Sequence, residues 1–134
     1  MAKHQLVTTD SGRISSGYFY ERNDCTVRAL ALAAKIPYAE AHSHLKAHGR
    51  KAGKGVMHKP LVAAYDKYVG EHHRTSVYKR DLPTVAAFIT AHPVGTFIVN
   101  VRGHVFALID GLQHDLCPAL AKPRCRVMGY WVAK

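Results

Sequence analysis

The sequence predicts a single α+β domain in which N-terminal helices pack on a C-terminal antiparallel β-sheet. Three observations carry this reading. From Cys25 to His92, apolar residues recur at helical spacing with Pro and Gly as punctuation. After Pro93 the runs become β-branched and aromatic and are broken by Gly. Within them Asp110-Gly111 is a two-residue hairpin signal.

Taken in order, residues 1–17 are polar and rich in Ser, Thr and Gly. They read as a flexible N-terminal segment or a short edge strand, with the domain proper expected over 18–134. Asp24 is a good N-cap, and "CTVRALALAAK" follows it with Val27, Leu30, Ala31 and Ala34 on one stripe. Ala, Leu and Arg are strong helix formers, and Cys25 falls in the first turn. Pro37 opens a second helix with Tyr38, Ala41 and Leu45 inward and Gly49 as its stop. A basic glycine loop, "GRKAGKG", runs from Gly49 to Gly55. Pro60 starts a third helix bearing Leu61, Ala64, Tyr65 and Tyr68, ended by Gly70. A short strand is expected around Ser76 to Lys79, then a fourth helix with Val85, Phe88 and Ile89 inward. "GTFIVNV", "GHVFALID", "LQHDL" and "RVMGYWVA" are the four expected sheet strands.

Bulk properties bound the function. The 134 residues suffice for one domain with a core, and 48% apolar residues exclude a disordered tail. No apolar run approaches the roughly 20 residues of a membrane span, and "MAKHQLVTTDSGRISSG" lacks the apolar segment of a secretory signal. No membrane partner and a cytoplasmic location are expected. Cys25, Cys117 and Cys125 make an odd count, which argues for reduced thiols rather than a disulfide framework. A net charge of +10 favours acidic partners, nucleic acid among them.

Cys25 invites a chemical reading. A helix N-terminus lowers a thiol pKa, and a nearby imidazole can take its proton. His104, following Gly103 at the mouth of a strand, is the candidate base. A third group must orient the ring. Asp110 lies six residues along the same strand, roughly 20 Å away, and cannot reach. With Asp110-Gly111 as the turn, Ile109 opposes Leu112, Phe106 opposes Asp115 and His104 opposes Cys117. His104 and Asp115 then become diagonal neighbours on one face, roughly 7–8 Å apart at the backbone.

"NDCTVRALA", "GRKAGKG" and "GTFIVNVRGHVFALIDG" together resemble the papain-like cysteine peptidase superfamily, and more closely its small phage and bacterial members. The resemblance covers roughly residues 18–116. It rests on chain order: cysteine on the first core helix, histidine opening a strand, and an acid or amide on the next strand. It implies a papain-like fold with Cys25 as nucleophile, His104 as base and Asp115 as the orienting residue. The superfamily often places a Gln shortly before the cysteine to bind the oxyanion. This chain has none between Leu6 and Cys25. Asn23, with the Cys25 backbone N–H, is the expected substitute. The implied activity is a thiol hydrolase or acyl transferase acting on a peptide, isopeptide or amide bond, with a protein or peptide substrate that includes host proteins if the chain is phage-encoded. The location is then the host cytoplasm.

Other readings stay open. Cys25 alone reads as core filler, since free cysteine is among the most buried residues. His104 reads as a satisfied strand histidine, Asp115 as a solvated acid, and Cys117 as a rival thiol. His44 and His48 stand one helical turn apart, a spacing that can clamp a metal, but no third ligand is evident, so neither metal nor cofactor is expected. Arg50, Lys51 and Lys54 in the glycine loop are candidate anion-binding residues. With Arg74, Lys79 and Arg80 they are also the candidate contacts of the alternative function, an inactive basic module that binds nucleic acid or an acidic host protein.

Overall fold

A computed structural model describes residues 5–76 and 78–133. Among them are four helices, α1 (Cys25–Ala34), α2 (Tyr38–Ala47), α3 (His58–Asp66) and α4 (Val85–Ala91). Six strands, β1 (Gln5–Thr8), β2 (His72–Arg74), β3 (Thr96–Val101), β4 (His104–Ile109), β5 (Leu112–Asp115) and β6 (Val127–Val132), form one sheet in the order β1-β5-β4-β3-β6-β2. β1 pairs in parallel with β5, and every other pairing is antiparallel. The fold is mixed α+β.

The first helix is buried on nearly all sides rather than along one stripe. Thr26, Val27, Arg28, Ala29, Leu30, Ala31 and Ala33 are all buried, because α1 lies between β4 and α2. A helix in that position needs small or apolar residues on every face, which the Ala-rich run supplies. The second helix buries Tyr38, Ala41 and Leu45, the stripe its spacing predicts. The third begins at His58, two residues before Pro60, and Tyr68 lies in the turn beyond its end. Thr84 caps α4 by accepting the Ala87 N–H at 3.1 Å.

The sheet is covered on both faces, so the helices are not all on one side of it. Ile98, Val105 and Trp131 join the cluster built by α1, α2 and α3. Their sequence neighbours Phe97, Val99 and Phe106 join Val85 and Phe88 of α4 in a second cluster. Strand periodicity sends alternate residues to opposite faces, and here both faces are dry. Trp131 is fully buried with its ring 4.8 Å from Tyr65, edge to face.

Two sequence expectations need correction. Of the two readings of residues 1–17, the flexible segment gives way to the short edge strand: Gln5–Thr8 forms the edge of the sheet, and the Thr9 N–H adds a 2.8 Å bond to the Asp115 carbonyl. The strand expected around Ser76 to Lys79 is instead His72–Arg74, paired with Gly129–Trp131, while Lys79–Asp81 is a 3-10 turn. Val77 and the Lys79 side chain, on which part of that expectation falls, lie outside the described residues. An edge strand is decided by a partner with free ladder groups, which β6 offers at that point.

Candidate active site

The β4–β5 hairpin sets the site. Asp110 and Gly111 have φ of 48° and 79°, as a tight two-residue turn requires. Ile109 pairs with Leu112, Leu108 with Gln113 and Ala107 with His114, which is the predicted register. It carries His104 and Asp115 to the same end of the sheet, where His104 Nε2 lies 2.7 Å from Asp115 Oδ2. The carboxylate can only accept, so Nε2–H donates, and Nδ1 is left for another partner. That partner is the Cys25 thiol, which hydrogen-bonds the His104 side chain and accepts from the Val105 backbone N–H. The thiol is half-buried at the start of α1.

Asp115 is fully buried and saturated. Besides His104 it accepts from Gln113 Nε2 at 3.0 Å, Arg28 Nη1 at 3.0 Å and the Leu116 N–H at 2.9 Å. Arg28 also reaches Asp24 Oδ1 through Nε at 3.0 Å, and Tyr38 Oη donates to Asp24 Oδ2 at 2.9 Å. A buried arginine thus joins two buried carboxylates, and each oxygen of both has a polar partner.

The charges follow from this arrangement. Burial alone would push the Cys25 thiol up, but the hydrogen bond and charge of His104, the Val105 N–H and the Arg28 charge outweigh it and hold the thiol below 9.0. Burial would depress His104, but its hydrogen bonds to Asp115 and Cys25 raise it to about 9. Burial would raise Asp115, but His104, Arg28 and Gln113 keep it below 3.8. At neutral pH His104 therefore stands as imidazolium, and its charge biases the Cys25 thiol toward the thiolate.

Asp24 is at the N-cap of α1, yet its side chain caps nothing, being turned to Arg28 and Tyr38. The expected side-chain cap is replaced by this inward network. The Asp24 carboxylate therefore leaves the first-turn N–H groups of α1 uncapped. Asn23, expected as an oxyanion donor, lines the same cleft at φ 51°, but its Nδ2 donates to the Gly53 carbonyl at 3.0 Å. Its amide pins the glycine loop instead.

The largest correction concerns Arg50. It is 4% exposed, not a surface contact, and its guanidinium forks onto Glu21 at 2.9 and 3.1 Å. Glu21 also accepts the Gly53 N–H at 2.7 Å and bonds His42 Nε2 at 2.5 Å. The Arg50 fork, opposed by burial and aided by the Gly53 N–H and His42, lowers Glu21 to about 2. Arg50 is thus the anchor that holds the glycine loop against the segment leading into Cys25. Lys51 and Lys54 are exposed, as are Arg74 and Arg80. Cys117 and Cys125 are free thiols, and Cys125 lines the cleft beside Cys25. His44 Nε2 donates to the Ala64 carbonyl at 2.6 Å, and His48 Nδ1 to the His44 carbonyl at 3.0 Å. No cluster of three metal-ligating side chains occurs among the described residues.

Sequence reasoning missed Arg28 and Gln113. Arg28 had a signal, a lone charge inside an apolar helix four residues after Asp24. Gln113 had none beyond its place two residues before Asp115.

Two clefts meet at the thiol, of about 590 and 920 Å³, sharing Cys25, Gly55, Val101, Gly103 and His104. No helix among the described residues is long and apolar enough to cross a membrane. The chain matches no protein-family model, no curated protein and no solved structure.

Proposed function

We propose that this chain is a papain-like thiol hydrolase or acyl transferase acting on a peptide, isopeptide or amide bond, with Cys25 as nucleophile, His104 as proton carrier and Asp115 as its orienting group. One observation carries the reading: a single imidazole bridges a half-buried thiol at a helix N-terminus and a fully buried carboxylate. A structural histidine has no need of a thiolate partner held open to a cleft.

The reaction follows from the groups. The Cys25 thiolate attacks the carbonyl carbon, and the C=O π pair moves to oxygen. That oxyanion meets the N-terminal N–H groups of α1. The His104 imidazolium gives its Nδ1 proton to the departing amine, the C–N bond breaks and a thioester remains. Neutral His104 then takes a proton from water or an incoming amine, which attacks the thioester and releases the thiolate. Asp115 keeps Nε2 as the donor throughout, so that Nδ1 always faces the reacting centre.

Iodoacetamide tests the reading. Cys25 is expected to alkylate faster than Cys117 and Cys125 and to do so at lower pH. Equal rates and equal pH profiles for the three cysteines would remove the hydrolase. Cys25→Ala separates the second reading, the basic binding module suggested by the +10 charge, because it ends an enzymatic phenotype and spares a binding one.

A further inference from the structure

We infer that the substrate segment on either side of the bond cut is an acidic peptide; this rests on the hydrolase reading above. The observation is the charge of the groove. Its first cleft carries Arg22, Arg102 and Lys122, and its second Lys54 and Arg74, all five exposed. None of the five joins an ion pair among the described residues. The acid in the lining is Asp24, which is 1% exposed and engaged by Arg28 and Tyr38. Cations without an ion-pair partner among the described residues therefore rim both arms, and a field of one sign raises the local concentration of oppositely charged chains.

The walls favour a peptide over a nucleic acid. Val85, Leu116 and Leu120 line one arm and Val56, Met57 and Leu61 the other, suited to aliphatic side chains. Single-stranded nucleic acid is held by exposed aromatic faces along a basic track. The described lining residues offer no exposed Phe, Tyr or Trp, since Phe106 is 3% exposed. The thiol at the junction also calls for a carbonyl, which a peptide supplies on every residue.

The test uses peptidyl chloromethyl ketones of one sequence carrying Glu, Gln or Lys at the two positions before the warhead. The thiolate displaces chloride and forms a thioether at Cys25, so the rate reads recognition next to the thiol. The Glu probe is expected to react on the order of tenfold faster than the Lys probe at about 0.01 M salt. The gap should close at about 1 M salt, where the Debye length falls to about 3 Å. Arg102→Gln with Lys122→Gln should bring the Glu-to-Lys ratio toward one, whereas Lys46→Gln, on α2, should leave it in place. Equal rates for the three probes, with Cys25 still preferred by iodoacetamide, would overturn the acidic-peptide assignment and keep the hydrolase. Protection of Cys25 by a single-stranded oligonucleotide, stronger than by the Glu peptide amide, would overturn it in favour of nucleic acid. A Cys25 no more reactive to iodoacetamide than Cys117 or Cys125 would overturn the hydrolase and this inference with it.

Discussion

Arg28 Nη1 donates to Asp115 Oδ1 at 3.0 Å, joining residues 87 apart in sequence and linking the first helix to the β4–β5 hairpin. The same guanidinium holds Asp24. Helix and sheet thus meet through one buried cation at the point where thiol and imidazole also meet.

Arg28→Ala should be the most damaging single change near the site. It leaves two buried carboxylates without their shared partner, and breaking such a pair costs about 3–5 kcal/mol. Urea denaturation would read the loss. Because the Arg28 charge helps hold the thiol down, the acid limb of Cys25 alkylation should also move to higher pH. A variant with wild-type stability and an unmoved limb would show that the contact carries neither role.

The His104–Cys25 pair has a defined stability signature. His104 is raised from 6.5 to about 9, so by itself it contributes stability fully present below pH 6.5 and lost as pH rises through 9. Cys25 is lowered from 9.0, so its contribution is present above pH 9.0 and lost as pH falls through its depressed native value. From pH 6.5, or from the depressed thiol value where that is higher, up to 9 the two slopes oppose, because there the native and unfolded pairs each hold one proton. The wild type should therefore show little change from this pair across that window. In Cys25→Ala only the His104–Asp115 part remains, and the urea midpoint should fall as pH rises above 6.5. Parallel pH profiles for the two proteins would contradict the ion pair.

Glu21→Gln tests the anchor of the glycine loop. It strands the Arg50 guanidinium, 4% exposed, without a counter-charge, at a cost of about 3–5 kcal/mol. In the wild type the Glu21 contribution is present above pH 4.5 and is lost as pH falls through about 2. Acid titration of stability should lose that component in the variant. Faster proteolysis within residues 50–55 at neutral pH is the accompanying local outcome.

Gly111→Ala tests the turn. The added methyl would meet Pro93 O at 3.6 Å, an ordinary contact, so the effect is conformational. At φ 79° an L side chain costs about 1–2 kcal/mol. The thiol pH profile should stay unchanged, because the register is also held by β1 and by both core clusters. A shifted profile would mean that the turn alone sets the register.

Much of the fold was legible locally. The α2 stripe of Tyr38, Ala41 and Leu45 follows from period alone, and the four C-terminal strands follow from β-branched runs between glycines. The His104–Asp115 pairing was legible because a two-residue turn leaves one register to choose. β2 was not, because His72-His73-Arg74 has no apolar alternation and becomes a strand only by joining β6. Arg50 was misread for a related reason. A charge in a glycine loop looks solvated until its partner is known, and Glu21 lies 29 residues away.

What the amino-acid sequence by itself determined is what depends on neighbours in the chain: the helical and strand periods, the hairpin register, and a cysteine at the first turn of a helix. Folding alone decided which charges are buried and who faces them. Arg28 between two carboxylates, Arg50 on Glu21, and the thiol on the free nitrogen of His104 are all contacts between segments far apart in the chain. Their energies depend on exclusion of water and on distances that no local pattern encodes.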